Sequence, residues 1–291
     1  MSDFLQVAPE VAEALASGRP VVALETSIVG QGLPAPYNLR AARESEAAIR
    51  REGAVPATVA VLDGRLRIGL TDADLERIAA GATKVSARDI GPALVRRQIG
   101  ATTVAATMRA AAMAEIRFFA TGGIGGVHRG HPEDQSADLV ELGRTPVAVF
   151  CAGAKIILDL ALTLERLESL SVPVLGYGCD ELPAFYTRHS GFPVGARVDG
   201  PQETADALRA AWETGSRGVV VAVPPPGELE GAEELVKRAV GELADVTGPD
   251  LTPRLLARVA ELSGGRSLEL NVQLVVNNAT VAARVATRFA G

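Results

Sequence analysis

Apolar runs alternate with stretches of helical periodicity along most of the chain. PVVALET (20–26) is continuously apolar up to its last two residues and predicts a buried strand. TVAVLDGRLRIGL (58–70) predicts a hairpin, because Asp63-Gly64 is a favoured two-residue turn between apolar segments. TMRAAAMAEI (107–116) has helical spacing and feeds a short strand, RFFAT (117–121). PVAVFCA (146–152) predicts another strand, followed by a helix over 157–170. PVLGYG (173–178) and GVVVAV (218–223) add two more strands, and the chain from Thr252 onward predicts two or three helices.

This alternation implies an α/β fold whose sheet is mainly parallel and covered by helices on both faces. The 58–70 hairpin makes the sheet mixed. No internal repeat, low-complexity segment or long linker divides the chain, and PPPGE (224–228) predicts a loop, so residues 1–291 are expected to form one domain. Ligands of such sheets bind outside the carboxyl ends of the strands. That rule directs attention to Glu25, to Thr121 through Gly126, to Lys155 and to Asp180-Glu181.

Composition narrows the function. The 291 residues are 47% hydrophobic and 22% charged, ordinary values for a chain with a sizeable core. A net charge of -6 without a basic run argues against polymeric nucleic acid as a partner. The chain start lacks a basic-then-apolar leader, and no apolar stretch reaches membrane-spanning length, so a cytoplasmic location without membrane contact is expected. Cys151 and Cys179 lack CxxC spacing and predict two small buried thiols. Only three of the 29 basic residues are lysines: Lys84, Lys155 and Lys237. A lysine kept in an arginine-rich chain points to amine chemistry, which a permanently protonated guanidinium cannot perform. Lys237, in the amphipathic EELVKRAV, is expected on a solvated face.

Several segments carry candidate chemistry, each with a plainer reading beside it. TGGIGGVHRG (121–130) follows a strand and is either an anion-binding nest of backbone N–H groups or a tight loop needing positive φ. DQSADL (134–139) spaces Asp134, Ser136 and Asp138 two apart. If extended, they share one side and suit a hard cation or a phosphate; otherwise Ser136 caps a helix with Asp138 in its first turn. CAGAKIILDL (151–160) sets Lys155 among small and apolar residues, where desolvation favours a neutral, nucleophilic amine, unless the side chain snorkels to water. Glu25 ends an apolar strand, which suits a general acid or a surface carboxylate. His128, His131 and His189 form no ligand pattern, and HRGH predicts a loop. Asn277-Asn278 interrupt an apolar helical face and would either read a base edge or serve helix packing.

Taken in order, VVALETSIVGQGLP, GAVPATVAVLDGRLRIGL, KVSARDI, GATTVAATM, FFATGGIGGVHRG, SADL, TPVAVFCAGAKIILDL, PVLGYGCDELPAFYTRHSGFPV and NVQLVVNNA resemble the pseudouridine-5'-phosphate glycosidases, or indigoidine synthase A-like proteins, from about Val7 to Ala286. The resemblance implies a three-layer α/β/α fold with a mixed, mainly parallel central sheet, a homotrimer, and a small nucleotide substrate. It implies Glu25 as proton donor, Lys155 as nucleophile, and Asp134 as the ligand of Mn2+, with Mg2+ as the alternative. Ser136, Ala137 and Asp138 would form a substrate-binding run together with Lys84 and Val104. Thr121, His128 and Asn278 would be further pocket residues. The implied reaction is reversible cleavage of a C–C glycosidic bond through a lysine imine. Two departures stand out: QGLPAPYN puts Gln31 where the family usually has His, and HPEDQSADL replaces a longer segment ending in FDISADL. A class I aldolase-type lyase would share the lysine chemistry without needing uracil, and a non-catalytic phosphosugar-binding protein would form no reducible adduct.

Overall fold

The computed structural model describes residues 3–243 and 251–291. Its strands are β1 (Leu5–Val7), β2 (Val21–Leu24), β3 (Val55–Leu62), β4 (Arg65–Ile68), β5 (Thr83–Val85), β6 (Gly100–Thr102), β7 (Phe118–Ala120), β8 (Val127–His128), β9 (His131–Gln135), β10 (Ala148–Cys151), β11 (Leu158–Asp159), β12 (Val174–Tyr177), β13 (Ala196–Val198) and β14 (Val219–Ala222). Its helices are α1 (Pro9–Ala16), α2 (Tyr37–Arg51), α3 (Asp72–Ala79), α4 (Ile90–Val95), α5 (Val104–Met113), α6 (Ala137–Leu142), α7 (Leu160–Ser169), α8 (Gly200–Glu213), α9 (Ala232–Glu242), α10 (Leu251–Leu262) and α11 (Arg266–Ala290).

Among the described residues, eleven strands form one sheet in the order β1-β4-β3-β2-β7-β10-β14-β12-β13, with β6 also on β3 and β5 on β6. Pairing is parallel except where β3 meets β4 and β6. The sheet is therefore mixed and mainly parallel. Every residue of β2, β3, β10 and β14 is buried, as expected of strands covered on both sides. Alternate residues of one strand enter different cores: Val22 and Leu24 pack with Phe150, Val221 and the Ala282-Ala283 stripe of α11, whereas Val21 and Ala23 pack with Val149 and Met108 of α5. Period-two side chains meeting helices on both faces produce the α/β/α layering.

The 58–70 hairpin forms as its sequence predicts. Asp63 and Gly64 both have positive φ (55° and 77°), as a type I′ turn requires. Two expectations change. The helix placed over 157–170 begins at Leu160, because Leu158 and Asp159 pair with β8 and the Asp159 carboxylate caps the helix by accepting from Leu162 N–H at 3.0 Å. HRGH is a hairpin rather than a loop: β8 and β9 pair antiparallel, and Gly130 supplies a positive φ of 75° at the turn. The C-terminal part resolves into two helices, α10 and α11.

Candidate active site

β2, β7 and β10 lie side by side and parallel, with Leu24 and Phe150 both in register with Ala120. The residues that leave their carboxyl ends therefore converge. Glu25 follows β2, Thr121 follows β7, and the loop after β10 carries Lys155. All three line one cleft of about 630 Å³, open to solvent at its mouth. Lys84, at the middle of β5, lines the same cleft.

Glu25 sits half-buried in the cleft wall, and its two carboxylate oxygens accept from the hydroxyls of Ser27 and Thr121. Burial pushes its carboxyl up from the usual carboxylate range; the opposing pull of Lys155 and of the two hydroxyls does not cancel that effect. A carboxyl held up in this way keeps its proton to higher pH, which suits a general acid. Lys155 is half-buried and anchored through its backbone. Its N–H donates to Ile124 O at 3.2 Å, Ile124 N–H to Gly153 O at 3.1 Å, and Ala152 N–H to Gly122 O at 2.9 Å. The lysine loop is thus laced to the glycine-rich loop. Gly153 permits this, since its φ is +80° and a Cβ there would lie 1.9 Å from Pro183 O.

In the glycine-rich loop the expectation of positive φ needs correction. None of Gly122, Gly123, Gly125 or Gly126 has positive φ. What they supply is close approach. A Cβ on Gly125 would stand 2.2 Å from Ser136 Oγ, and one on Gly126 would stand 2.3 Å from Thr163 Oγ1. The anion that the loop meets is the protein's own Asp138, whose Oδ2 accepts from Gly125 N–H at 2.8 Å while Oδ1 accepts from Ala105 N–H at 2.9 Å.

The DQSADL run does not stay extended. Asp134 ends up half-exposed on β9, beside His128, whose Nδ1 is 3.0 Å from Asp134 Oδ2. Ser136 caps α6 by accepting from Asp138 N–H at 3.2 Å, and Ala137 is exposed. Asp138 turns into the core. Val104 opens α5, is only 1% exposed and lies outside the cleft lining. Asn278 lies outside the cleft lining. Its amide donates to Thr121 O (2.8 Å) and Gly122 O (3.3 Å), so it holds the loop that carries Thr121. Asn277 likewise donates to Pro224 O at 3.3 Å. Asp180 pairs with Arg197 at 2.9 Å and Glu181 accepts from Ser190 and Gly191 N–H, so neither joins the cleft. His131 and His189 are exposed, as is Lys237. Burial raises the Cys151 thiol to about 12 and Cys179 to about 11, so both stay protonated and inert at neutral pH.

Phe185 and Asn271, which the sequence motifs did not single out, also line the cleft. Asn271 donates to the buried Tyr186 hydroxyl at 2.7 Å. It lies seven residues before Asn278, on the same face of α11, a spacing that could have marked it. Phe185 has a φ of 63° and carries no comparable signal in the sequence. Gln31 also reaches the cleft, and its amide donates to Ala82 O at 2.5 Å. Among the described residues no group of three His, Cys, Asp or Glu side chains is placed to hold a metal ion.

Comparison with known proteins gives one consistent result. The sequence profile described as indigoidine synthase A like protein matches residues 10–288. A pseudouridine-5'-phosphate glycosidase of Hahella chejuensis is 50% identical over 99% of both chains. One from a Nocardioides species is 52% identical over 99% of this chain and 97% of its own. The prealnumycin C-glycosynthase crystallised with ribulose 5-phosphate superposes with a TM-score of 0.91 at 38% identity, covering 100% of this chain and 98% of that one. An indigoidine synthase A-like protein of Thermotoga maritima gives 0.92 at 30% identity, over 99% and 97%. Profile, relatives and fold agree along the whole length, and the chain belongs to the indigoidine synthase A-like protein family.

Proposed function

We propose that this chain reversibly cleaves the C–C glycosidic bond of pseudouridine 5'-phosphate, giving uracil and ribose 5-phosphate through an imine on Lys155. The observation that carries this reading is the shared cleft: Glu25, an acid whose carboxyl burial raises above the usual carboxylate range, faces the same space as the half-buried Lys155. The relatives named as such glycosidases, and the ribulose 5-phosphate bound by the C-glycosynthase, support the choice of substrate.

A bond from C1' to a uracil carbon cannot be broken by simply protonating a leaving nitrogen. Glu25 would instead give its proton to the ribose ring oxygen, and the C1'–O4' bond would open with its electron pair on that oxygen. Conjugation with uracil leaves C1' electrophilic, and the Lys155 amine adds there, its nitrogen giving up a proton to recover a lone pair. Protonation at the uracil carbon then lets the C1'–C5 bond break as the lysine nitrogen's lone pair forms the C1' iminium. Water hydrolyses the iminium and releases ribose 5-phosphate. Lys84, the Ser136–Ala137 backbone and the Val104 N–H are assigned to substrate and phosphate, with Thr121 at the cleft wall and His128 as a further substrate contact from β8. Asp138 and Asn278 would act by holding the loops that bear them.

Asp134 is the assigned ligand of Mn2+ or Mg2+. A single half-exposed carboxylate fits a hard divalent ion that keeps most of its waters; it does not fit an all-protein cage. When bound, such an ion supplies positive charge that stabilises anionic character on the substrate. We further assign the chain one domain, assembly as a homotrimer and a cytoplasmic location. The profile match running through residues 10–288 supports the first of these.

The test is incubation with pseudouridine 5'-phosphate and manganese, followed by assay of free uracil. No uracil, together with cleavage of a sugar phosphate aldol, would instead favour the aldolase-type reading.

A further inference from the structure

On the α2 side of Glu25 lies a second cavity, which shares Glu25, Ile28, Thr121, Gly122 and Val275 with the cleft lining and has room for about one water. Glu25, Ser45, Thr58 and Thr121 give it its polar lining. Ser45 is 1% exposed, and its Oγ has no hydrogen-bond partner among the described residues. Thr58, also 1% exposed, donates its hydroxyl to the carboxylate of Glu46. Glu46 in turn is half-buried on α2 and reaches solvent. A continuous line of exchangeable groups therefore runs from solvent, through Glu46 and Thr58, to the cavity that Glu25 borders. No step of the reaction described above uses it.

We propose that Glu46, Thr58 and one water held by Ser45 in this cavity form a proton relay that reloads Glu25 while substrate fills the cleft. This inference rests on Glu25 being the acid. At saturating substrate the cleft refills as product leaves and bulk water is again excluded from its mouth, so a Glu25 carboxylate left by the previous proton donation needs another route to solvent. The relay balances. Glu46 gives its proton to Thr58 Oγ, the threonine's own hydroxyl hydrogen passes to the water, and the water hands a hydrogen to the Glu25 carboxylate. Glu46 is left ionised and takes one proton from solvent, and hydroxyl rotation resets the chain.

The electrostatics match the two ends. Burial raises the Glu46 carboxyl, against the opposing effects of the Thr58 hydroxyl and Arg50, while Asp72 and Glu10 add to the rise. Glu25 is also raised, with Lys155 opposing and Asp138 adding. Donor and acceptor are thus displaced in the same direction.

The experiment compares single-turnover and steady-state uracil release for the wild type, Glu46→Gln, Thr58→Val and Thr58→Ser. Glu46→Gln and Thr58→Val should leave the first turnover near wild type, because the first proton comes from Glu25 itself and not through the relay. Steady-state kcat should fall about tenfold, more steeply as pH rises. Thr58→Ser keeps the hydroxyl and should restore steady-state turnover. Unchanged kcat in both Glu46→Gln and Thr58→Val overturns the relay. So does an equal loss in first and later turnovers, since that marks a structural disturbance of Glu25. Absence of uracil release by the wild type overturns the functional reading itself, and the relay with it.

Discussion

Replacing Asp138 by Asn separates two roles that its place in the SADL run leaves open. The side chain is 6% exposed, and each of its oxygens accepts one backbone N–H, from Ala105 at 2.9 Å and from Gly125 at 2.8 Å. Asparagine keeps one acceptor. Its amide NH2 must then face the other N–H, so one charge-assisted hydrogen bond is lost and two buried donors oppose each other. The lost bond is worth about 1.5–3 kcal/mol, and the stranded donors bring the total to roughly 2–4 kcal/mol. For a chain of this size that is a fall in Tm of roughly 3–7 °C. Thermal melting followed by circular dichroism, without substrate, measures it. Ser136→Ala, which removes only a cap, should cost about 1 kcal/mol and serves as the scale. If Asp138→Asn melts within a degree or so of the wild type and only KM for substrate rises, the carboxylate faces the ligand and the assignment to the loops is wrong.

Lys155→Arg keeps the charge but not the nucleophile, so turnover should fall by several orders of magnitude with the fold intact. Borohydride trapping with ribose 5-phosphate should mark Lys155 by peptide mass mapping, and an adduct on Lys84 would refute the choice. Glu25→Gln should lose most of kcat, and its stability should depend on pH in a definite sense. A raised carboxyl pKa means the folded state holds the proton more tightly than the unfolded one, so wild-type stability falls as pH climbs from the ordinary carboxylate value through the raised one. Glu25→Gln should accordingly match the wild type below about pH 4 and melt higher than it at neutral and alkaline pH; a constant offset at all pH values would contradict this. Asp134→Ala should lower Mn2+ affinity and activity together, checked by calorimetry and by activity in excess chelator. Lys84→Ala should erase the preference for pseudouridine 5'-phosphate over pseudouridine, and an equal loss on both would place Lys84 elsewhere.

The periodic features of the chain are legible in its sequence alone. The apolar runs at 20–26, 58–70, 146–152 and 218–223 form strands because burial on both faces needs uninterrupted apolar residues. Asp63-Gly64 specifies its own turn, since both residues tolerate positive φ. The rule that sites lie beyond the carboxyl ends of parallel strands is enough to bring Glu25, Thr121 and Lys155 under suspicion. Short-range conformational preference and hydrophobic period are written residue by residue, so these features can be read locally.

Only the tertiary structure decides the rest. Whether the glycines after β7 serve φ or proximity depends on Ser136 and Thr163, which arrive from other elements. Asp134 and Asp138 look equivalent in DQSADL. They part because a helix starts between them, leaving one half-exposed beside His128 and turning the other onto two backbone amides. Asn278 has the sequence context of a ligand-reading amide, yet its donors close on Thr121 and Gly122, which lie far away in the chain. Glu46 carries no signal at all: an acid on an amphipathic helix reads as fully solvated until Thr58 of a neighbouring strand donates to its carboxylate and leaves it half-buried. In each case the side chain's role is set by a partner distant in the chain. Sequence spacing carries no information about such a partner, because the order of strands in the sheet, not the order of residues, determines who meets whom.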